Sequence, residues 1–148
     1  MPLAGPDPNP LLLIAEHHTP ARAFLADNFI ADGYDVVPAA DYDGAVRALL
    51  GTRQIDAMVV DLAGDTLRLI DAIRRDDHRL DAGLPILAFV ASPDAMPRVR
   101  MLERGAEDVM AKPFSYPELR LRVARVLANA SGRPAARASI QVGPLRID

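Results

Sequence analysis

Four residues have side chains that could do chemistry together: Glu16, His17, Asp61 and Lys112. Lys112 is the single lysine among 17 Lys plus Arg, so a compact, flexible ammonium stands in a chain that otherwise uses arginine. This indicates either a role that requires lysine or chance in an arginine-rich composition. Glu16, His17 and Asp61 could bind a transition metal. The alternatives are that His17 is a polar loop residue and that Asp61 forms a structural ion pair with Lys112.

The composition is typical of one globular domain. With 148 residues, of which 50% are hydrophobic and 25% charged, the chain can bury a core but is too short for two typical domains. A net charge of -3 argues against nucleic-acid binding by this segment, and the absence of cysteine excludes disulfides and cysteine-based zinc sites. The apolar run at 11–15 is too short to span a membrane, so we expect a cytoplasmic protein with no membrane partner.

Short apolar runs alternate with amphipathic stretches, which is the pattern of βα units that form a parallel sheet. The predicted strands are 11–15, 35–38, 56–60, 85–90 and 107–111. The predicted helices are 20–32, 42–50, 66–75, 94–104 and 115–129. This alternation predicts a doubly wound α/β sandwich, a fold in which ligands bind where the strands end. The two carboxylates, the imidazole and the lysine all lie at such strand ends, so they should converge on one edge of the sheet.

The two ends of the chain differ from its middle. Residues 1–10 contain four prolines and a glycine, and they predict a flexible leader. The domain is expected over 11–129, and 130–148 should hold a linker followed by the start of another domain. The last nine residues, 140–148, alternate apolar and polar side chains around Gly143-Pro144, which is typical of a strand and turn.

Two motifs point to a known family. The more specific is GAEDVMAKPF at 105–114, followed by PEL at 117–119 and by Arg122; the weaker is GYDVV at 33–37. On these residues the chain resembles the CheY-like receiver domain of two-component response regulators, over about 11–128. Within that family it is most similar to the OmpR/PhoB-type, winged-helix subfamily of transcriptional regulators. The tail at 142–148 is similar to the opening strand of that subfamily's DNA-binding domain.

The resemblance implies a flavodoxin-like (βα)5 fold with a parallel sheet of order 2-1-3-4-5. It implies that Asp61 is the phosphoacceptor and that Lys112 completes the phosphoryl pocket, where it neutralises charge on the phosphoryl oxygens. Glu16 and His17 take the positions of the acidic pair that, with Asp61, binds Mg²⁺ in the family. Val90 takes the position of the family's hydroxyl residue after the fourth strand, and Ala91 follows it in the pocket.

The chain departs from the family at residues on which this chemistry depends. His17 replaces a ligating carboxylate, and because Mg²⁺ prefers oxygen ligands, its binding should be weak. Val90 cannot donate a hydrogen bond to a phosphoryl oxygen, and Val109 replaces the aromatic residue that works with that hydroxyl in the family. The loop at 62–65 is about three residues shorter than usual and should bring the negative charge of Asp65 near the pocket.

These departures predict an atypical receiver domain with a degenerate phosphorylation site. We expect it not to be an enzyme, to require no cofactor, and to control an appended DNA-binding domain through dimerisation without phosphorylation. Two alternatives stay open: a conventional Mg²⁺-dependent receiver that is phosphorylated on Asp61 by a sensor histidine kinase, and a receiver-like module that senses a small molecule or a metal. DNA would be contacted only through the further C-terminal domain.

The subfamily also implies where two copies would meet. Its receivers pair through the face formed by the fourth helix, the fifth strand and the fifth helix. The corresponding charged residues here are Arg98, Arg100, Glu107, Asp108, Glu118 and Arg122. Mixed charges at helical spacing could form ion pairs across a two-fold axis. The alternative is a solvated surface with local ion pairs, each of which contributes little to stability.

Overall fold

A computed structural model describes residues 8–75 and 80–131 of the chain. The strands are β1 (Leu11–Glu16), β2 (Asp35–Ala39), β3 (Ala57–Asp61), β4 (Ile86–Val90) and β5 (Asp108–Ala111). The helices are α1 (Thr19–Ala31), α2 (Tyr42–Leu49), α3 (Thr66–Arg74), α4 (Ala95–Arg104) and α5 (Tyr116–Ser131), and a 3₁₀ turn at Ala63–Asp65 precedes α3. Each predicted element is present, with ends within two residues of the prediction.

The five strands form one parallel sheet of order β2-β1-β3-β4-β5, so the predicted fold class is confirmed. β2 lies at an edge and contains Pro38, a residue that edge strands tolerate because the missing N–H costs no ladder hydrogen bond there. In the register of β1 with β3, Glu16 lies opposite Asp61, and in that of β4 with β5, Val90 lies opposite Ala111. The carboxyl ends of these four strands therefore meet at one level.

The core has two layers because successive side chains of a strand point to opposite faces of the sheet. Leu13, Met58 and Ile86 face one side and pack into a cluster with residues of α2, α3 and α4. Leu12, Val59 and Leu87, their chain neighbours, face the other side and pack with Leu25 and Phe29 of α1 and with Leu119 and Val123 of α5. Complete burial of each such side chain stabilises the fold by about 1.5–3 kcal/mol.

The ends of the domain lie close to the predicted boundaries. α5 continues to Ser131, two residues beyond the predicted end at 129. Asn9 and Pro10, which belong to the predicted leader, are held to the sheet: Asp35 N donates to Pro10 O (2.9 Å), and the Arg53 side chain donates to Asn9 O (2.5 Å). The rest of the leader at 1–7 and the predicted linker and strand at 132–148 lie outside the described residues.

None of the helices within the described ranges has the length and apolar character that crossing a bilayer requires.

Candidate functional site

The site lies where β1, β3 and β5 end, and backbone hydrogen bonds extend the sheet one residue beyond these strands. His17 N donates to Asp61 O (3.0 Å), and Lys112 N donates to Val90 O (2.9 Å). These bonds fix the backbone at His17 and at Lys112. The four residues singled out in the sequence are therefore brought together by the sheet itself, as the strand-edge argument predicts.

The Lys112 ammonium bridges two carboxylates. Its Nζ lies 2.8 and 2.9 Å from Glu16 Oε1 and Oε2, and 2.7 Å from Asp61 Oδ2. The Glu16 side chain is 1% exposed, whereas the Asp61 side chain is 15% exposed and borders solvent. Sequence reasoning predicted the pair with Asp61 but missed the pair with Glu16. Because a buried carboxylate without a cation is costly, Glu16 is the partner that depends most on Lys112.

The same contacts set the protonation of Lys112. Burial disfavours the ammonium and by itself lowers the pKa of Lys112, but the hydrogen bonds and charges of Asp61 and Glu16 outweigh burial. The pKa of Lys112 is therefore raised above its ordinary value. Lys112 is a cation at physiological pH and balances one of the two negative charges of Glu16 and Asp61.

The two histidines after β1 point in different directions. His17 is half exposed, and its Nε2 lies 3.7 Å from Asp61 Oδ1 and 3.9 Å from Glu16 Oε2. His18 is the N-cap residue of α1, where its Nδ1 accepts a hydrogen bond from Ala21 N (3.4 Å). Ligand atoms of Glu16, His17 and Asp61 lie within 4.8 Å of one another, so the metal-ligand set predicted from the sequence is assembled.

These residues fit Mg²⁺ poorly. Mg²⁺ requires close to octahedral oxygen coordination, and here one of three side chains offers a nitrogen. The Lys112 ammonium lies at hydrogen-bond distance from both carboxylates and balances one of their two negative charges. A dication would therefore meet a site with less negative charge than three carboxylates would give.

The end of β4 is apolar. Val90 is 5% exposed and packs in the same buried cluster as Val109, which is 4% exposed. Ala91, also predicted to line the pocket, is exposed and has no hydrogen-bonding side chain. The Ser92 hydroxyl accepts a hydrogen bond from Asp94 N (3.1 Å) in the loop that precedes α4. The positions of Val90 and Ala91 thus supply no side-chain donor to the edge of the sheet.

The short loop after β3 is closed by a residue that sequence reasoning missed. Leu62 N donates to Thr66 Oγ1 (2.8 Å), and Thr66 is 1% exposed. Ala63 adopts φ +54°, and its N–H donates to Asp61 Oδ1 (3.0 Å). The available signal was a hydroxyl residue at the first position of a predicted helix, a place where such side chains accept backbone hydrogen bonds. Asp65, on the same turn, is exposed and lies 3.6 Å from Arg68.

On the surface formed by α4, β5 and α5, charged residues line a groove of about 370 Å³. Arg122 Nη1 lies 2.8 Å from Asp108 Oδ1, and Arg122 Nη2 lies 2.7 Å from Glu118 Oε2. These three residues line the groove together with Arg98 and Leu102 of α4. Most of the predicted charged residues of this face are therefore side by side, and we refer to this surface as the α4-β5-α5 face.

Glu107 has its partners elsewhere in the chain. It lies 3.0 Å from the Arg74 guanidinium of α3 and accepts a hydrogen bond from Ile86 N (3.2 Å). Arg74 also donates to Gly105 O and to Ala82 O. Glu107 thus ties α3 and β4 to the start of β5, a role that its place in the motif at 105–114 does not reveal.

Comparison with known proteins places this geometry in context. The family described as response regulator receiver domain matches residues 12–124. The phosphate regulon transcriptional regulatory protein PhoB of Klebsiella pneumoniae is 32% identical over 123 residues, which cover 81% of this chain and 52% of that protein. The transcriptional regulatory protein PrrA of Mycobacterium tuberculosis is 31% identical over 145 residues, which cover 95% and 60%.

Solved structures agree with the sequence matches. A putative response regulator from Chloroflexus aurantiacus superimposes with a TM-score of 0.73 at 32% identity, over 81% of this chain and 98% of the other. The receiver domain of the sensor histidine kinase PA1611 from Pseudomonas aeruginosa, solved with magnesium in its active site cleft, gives a TM-score of 0.70 at 27% identity, over 81% and 98%. The chain spans about half the length of the curated relatives it matches.

Proposed function

The chain belongs to the response regulator receiver domain family, and from this membership we propose that it is an atypical receiver that passes on a signal without phosphorylation of Asp61. In this proposal the domain is not an enzyme, requires no cofactor, and acts as the input domain of a transcriptional regulator. Its output is dimerisation through the α4-β5-α5 face. DNA would be contacted by a further domain, as the names of the PhoB and PrrA relatives suggest for the longer proteins.

The observation that carries this proposal is the buried valine pair Val90 and Val109. A phosphoryl group on Asp61 needs donors for its oxygens, and a hydroxyl at the end of β4 would pull the β4–α4 loop toward it. Val90 has no polar atom in its side chain and lies in an apolar cluster. Val109 lies in β5, and its small side chain is buried. A phosphoryl group would thus have no side-chain contact through which to reach the α4-β5-α5 face.

The electrostatics of the pocket support the same conclusion. Lys112 already bonds to both carboxylates, so the charge of Glu16 and Asp61 is balanced in part by the chain itself. The chemistry of phosphoryl transfer to a carboxylate depends on a metal ion that bridges and neutralises the transferring oxygens. His17 replaces a ligand that such an ion prefers, so the reaction should be slow even with abundant Mg²⁺.

Phosphorylation can be tested directly by intact mass. We expect no Asp61-dependent increase of about 80 Da when the chain is incubated with acetyl phosphate and Mg²⁺. The matched variant is His17→Asp combined with Val90→Thr, which restores both a carboxylate ligand and a hydroxyl, and it should gain the adduct. Asp61→Asn in that background should lose it again. A stable adduct on the unmodified chain that also changes its oligomeric state would contradict the proposal.

The output surface combines apolar and charged groups. Along α4, Met96, Val99 and Leu102 are 64%, 39% and 46% exposed at a spacing of three residues, so they follow one side of the helix. Beside them Arg122 bonds to Asp108 and Glu118 across the groove. Apolar side chains next to paired charges suit a self-complementary contact, because in a two-fold dimer each patch meets its own copy.

The dimer predicts a difference between two arginines of α5. Arg122 lies on the α4-β5-α5 face, whereas Arg120 faces α1 and lies 3.7 Å from Asp32. Arg122→Ala should weaken self-association about tenfold or more, since arginines at the centre of an interface commonly contribute over 1 kcal/mol. Arg120→Ala should leave it unchanged. Sedimentation equilibrium over a concentration series measures both, and equal behaviour of the two variants would argue against this face.

A conventional Mg²⁺-dependent receiver is the second candidate, and one observation favours it. Asp61 ends β3 with its carboxylate at the surface, and a lysine cation lies 2.7 Å from Oδ2. That pair could stabilise a phosphoryl group once formed. In this case a sensor histidine kinase would be the donor, and the mass experiment above would detect the adduct on the unmodified chain.

A further inference from the structure

We propose that Glu16, His17 and Asp61 form a binding site for a transition-metal dication, with Zn²⁺ as the best fit, and that His17 makes this site prefer such ions over Mg²⁺. The proposal deepens the proposed function, because metal binding would give the pocket an input other than phosphorylation. It rests on the positions of three side chains and not on any property of the relatives.

The His17 side chain lies next to both carboxylates. Its Nε2 lies at 3.7 and 3.9 Å from the two carboxylates, which is beyond hydrogen-bond distance for both. The ring is half exposed and so could turn toward water, but it lies over Asp61 and Glu16 instead. Two ligands that share one metal ion at about 2.0–2.1 Å lie about 3.4 Å apart in tetrahedral geometry. A movement of about 0.5 Å by the half-exposed ring would bring Nε2 to that spacing from each carboxylate.

Asp61 divides its two carboxylate oxygens between Lys112 and His17. At Asp61, Oδ2 lies against Lys112 while Oδ1 is the atom nearer His17. At Glu16, Oε2 is the atom nearer His17, but both oxygens contact Lys112 Nζ, Oε1 at 2.8 Å and Oε2 at 2.9 Å. Asp61 can thus bind a metal through Oδ1 while Lys112 stays in place, and Glu16 can do so through Oε2 when Lys112 keeps only its contacts with Glu16 Oε1 and Asp61 Oδ2.

Backbone N–H groups hold both carboxylate ligands in place. Asp61 Oδ1 accepts a hydrogen bond from Ala63 N (3.0 Å), and Glu16 Oε2 accepts one from His18 N (3.1 Å). Such contacts fix the orientation of ligating groups and commonly change metal affinity 10- to 100-fold. Both carboxylates are thus oriented before any metal arrives, and the half-exposed imidazole has room to adjust.

Ligand chemistry then determines which ion the site prefers. One imidazole and two carboxylates, with further positions open to water, suit Zn²⁺ and its neighbours, which bind nitrogen well. Mg²⁺ gains little from the imidazole. The positive charge of Lys112 lowers the affinity for every dication alike, so it does not affect the preference.

Cobalt provides a direct test, because Co²⁺ replaces Zn²⁺ and its visible absorption reports the geometry of its ligands. We expect the full chain to bind one Co²⁺ per chain, to release it to Zn²⁺, and to retain it in a large excess of Mg²⁺. His17→Ala should weaken Co²⁺ binding at least tenfold. The matched control is His18→Asn, which replaces the neighbouring histidine but keeps an N-cap residue, and it should bind Co²⁺ as the unmodified chain does.

A second variant tests the preference itself. His17→Asp should reverse the preference of the site for Co²⁺ over Mg²⁺. In calorimetric titrations this variant should bind Mg²⁺ more tightly and Co²⁺ more weakly than the unmodified chain does. Equal Co²⁺ binding by the unmodified chain and His17→Ala, or displacement of Co²⁺ by Mg²⁺, would overturn the inference. These outcomes are separate from those of the phosphorylation experiment: an Asp61 adduct would contradict the proposed function even if Co²⁺ binds, and absence of Co²⁺ binding would leave the mass result unaffected.

Discussion

Replacement of Lys112 by methionine is expected to lower the free energy of unfolding by about 2–4 kcal/mol at neutral pH. Methionine keeps the length of the side chain but removes its charge. Glu16, at 1% exposure, would then be a buried carboxylate that retains only the His18 N–H among the hydrogen bonds described above. Removing one partner from a buried ion pair is costly because the other charge stays in a medium that solvates it poorly. Urea unfolding followed by circular dichroism measures the loss.

Two controls separate this effect from a general loss of charge. Glu16→Gln in the Lys112→Met background should recover part of the stability, because the buried charge is then gone; the double-mutant cycle gives the coupling between the two residues. Arg120→Met removes a half-exposed cation that lies 3.7 Å from Asp32, and it should change stability by under about 1 kcal/mol. A Lys112→Met protein as stable as Arg120→Met would show that the bridge contributes little.

The stability that Lys112 contributes through its bridge to Glu16 and Asp61 depends on pH. Burial lowers the pKa of Lys112 but its two carboxylate partners raise it further, so the folded-state pKa lies above the ordinary value of 10.5. The group therefore binds its proton more tightly in the folded than in the unfolded chain. Its stabilisation is fully present below pH 10.5 and is lost as the pH rises through the higher folded-state value. The stability difference between the unmodified chain and Lys112→Met should therefore shrink in strongly alkaline solution.

The fold could be predicted from the sequence because local and long-range signals agree. β1 is an uninterrupted apolar run whose residues are all buried, as expected of a central parallel strand covered on both faces. Gly33 and Gly105 follow the ends of α1 and α4 with φ of +100° and +122°, so the residue type marks the helix end directly. Strand ends then determine which residues meet, and Asp61 and Lys112 do so as predicted.

Details of the site depended on side-chain geometry that no spacing rule contains. Glu16 was predicted as a metal ligand, yet its closest partner is Lys112, because the bridge is set by the β1–β3 register and by how far a lysine reaches. Glu107 was predicted for the α4-β5-α5 face, but it bonds to Arg74, a residue 33 positions earlier in the chain. Both contacts join residues far apart in sequence, so a single chain gives no local pattern for them.

The Arg74 contacts lead to the second large effect, at Gly105. Gly105→Ala should lower the free energy of unfolding by about 3–4 kcal/mol. Its φ of +122° is a conformation that side chains rarely adopt, which costs about 1–2 kcal/mol. A Cβ there would also lie 2.7 Å from Arg74 Cγ and 2.8 Å from Arg74 Nε. Arg74 cannot move away without loss of its hydrogen bonds to Gly105 O, Ala82 O and Glu107.

Gly33 is the matched control, because its φ is +100° but a Cβ there would meet nothing within 4 Å. Gly33→Ala should therefore show the backbone cost alone, about 1–2 kcal/mol. In an Arg74→Ala background the cost of Gly105→Ala should fall to the same value, because the side chain it collides with is gone. Thermal or urea unfolding of the unmodified chain, the three single variants and the Arg74→Ala/Gly105→Ala double variant gives the comparison. Equal losses at Gly33 and Gly105 would mean that Arg74 yields freely, and the tie between α3 and the start of β5 would then be weaker than its hydrogen bonds indicate.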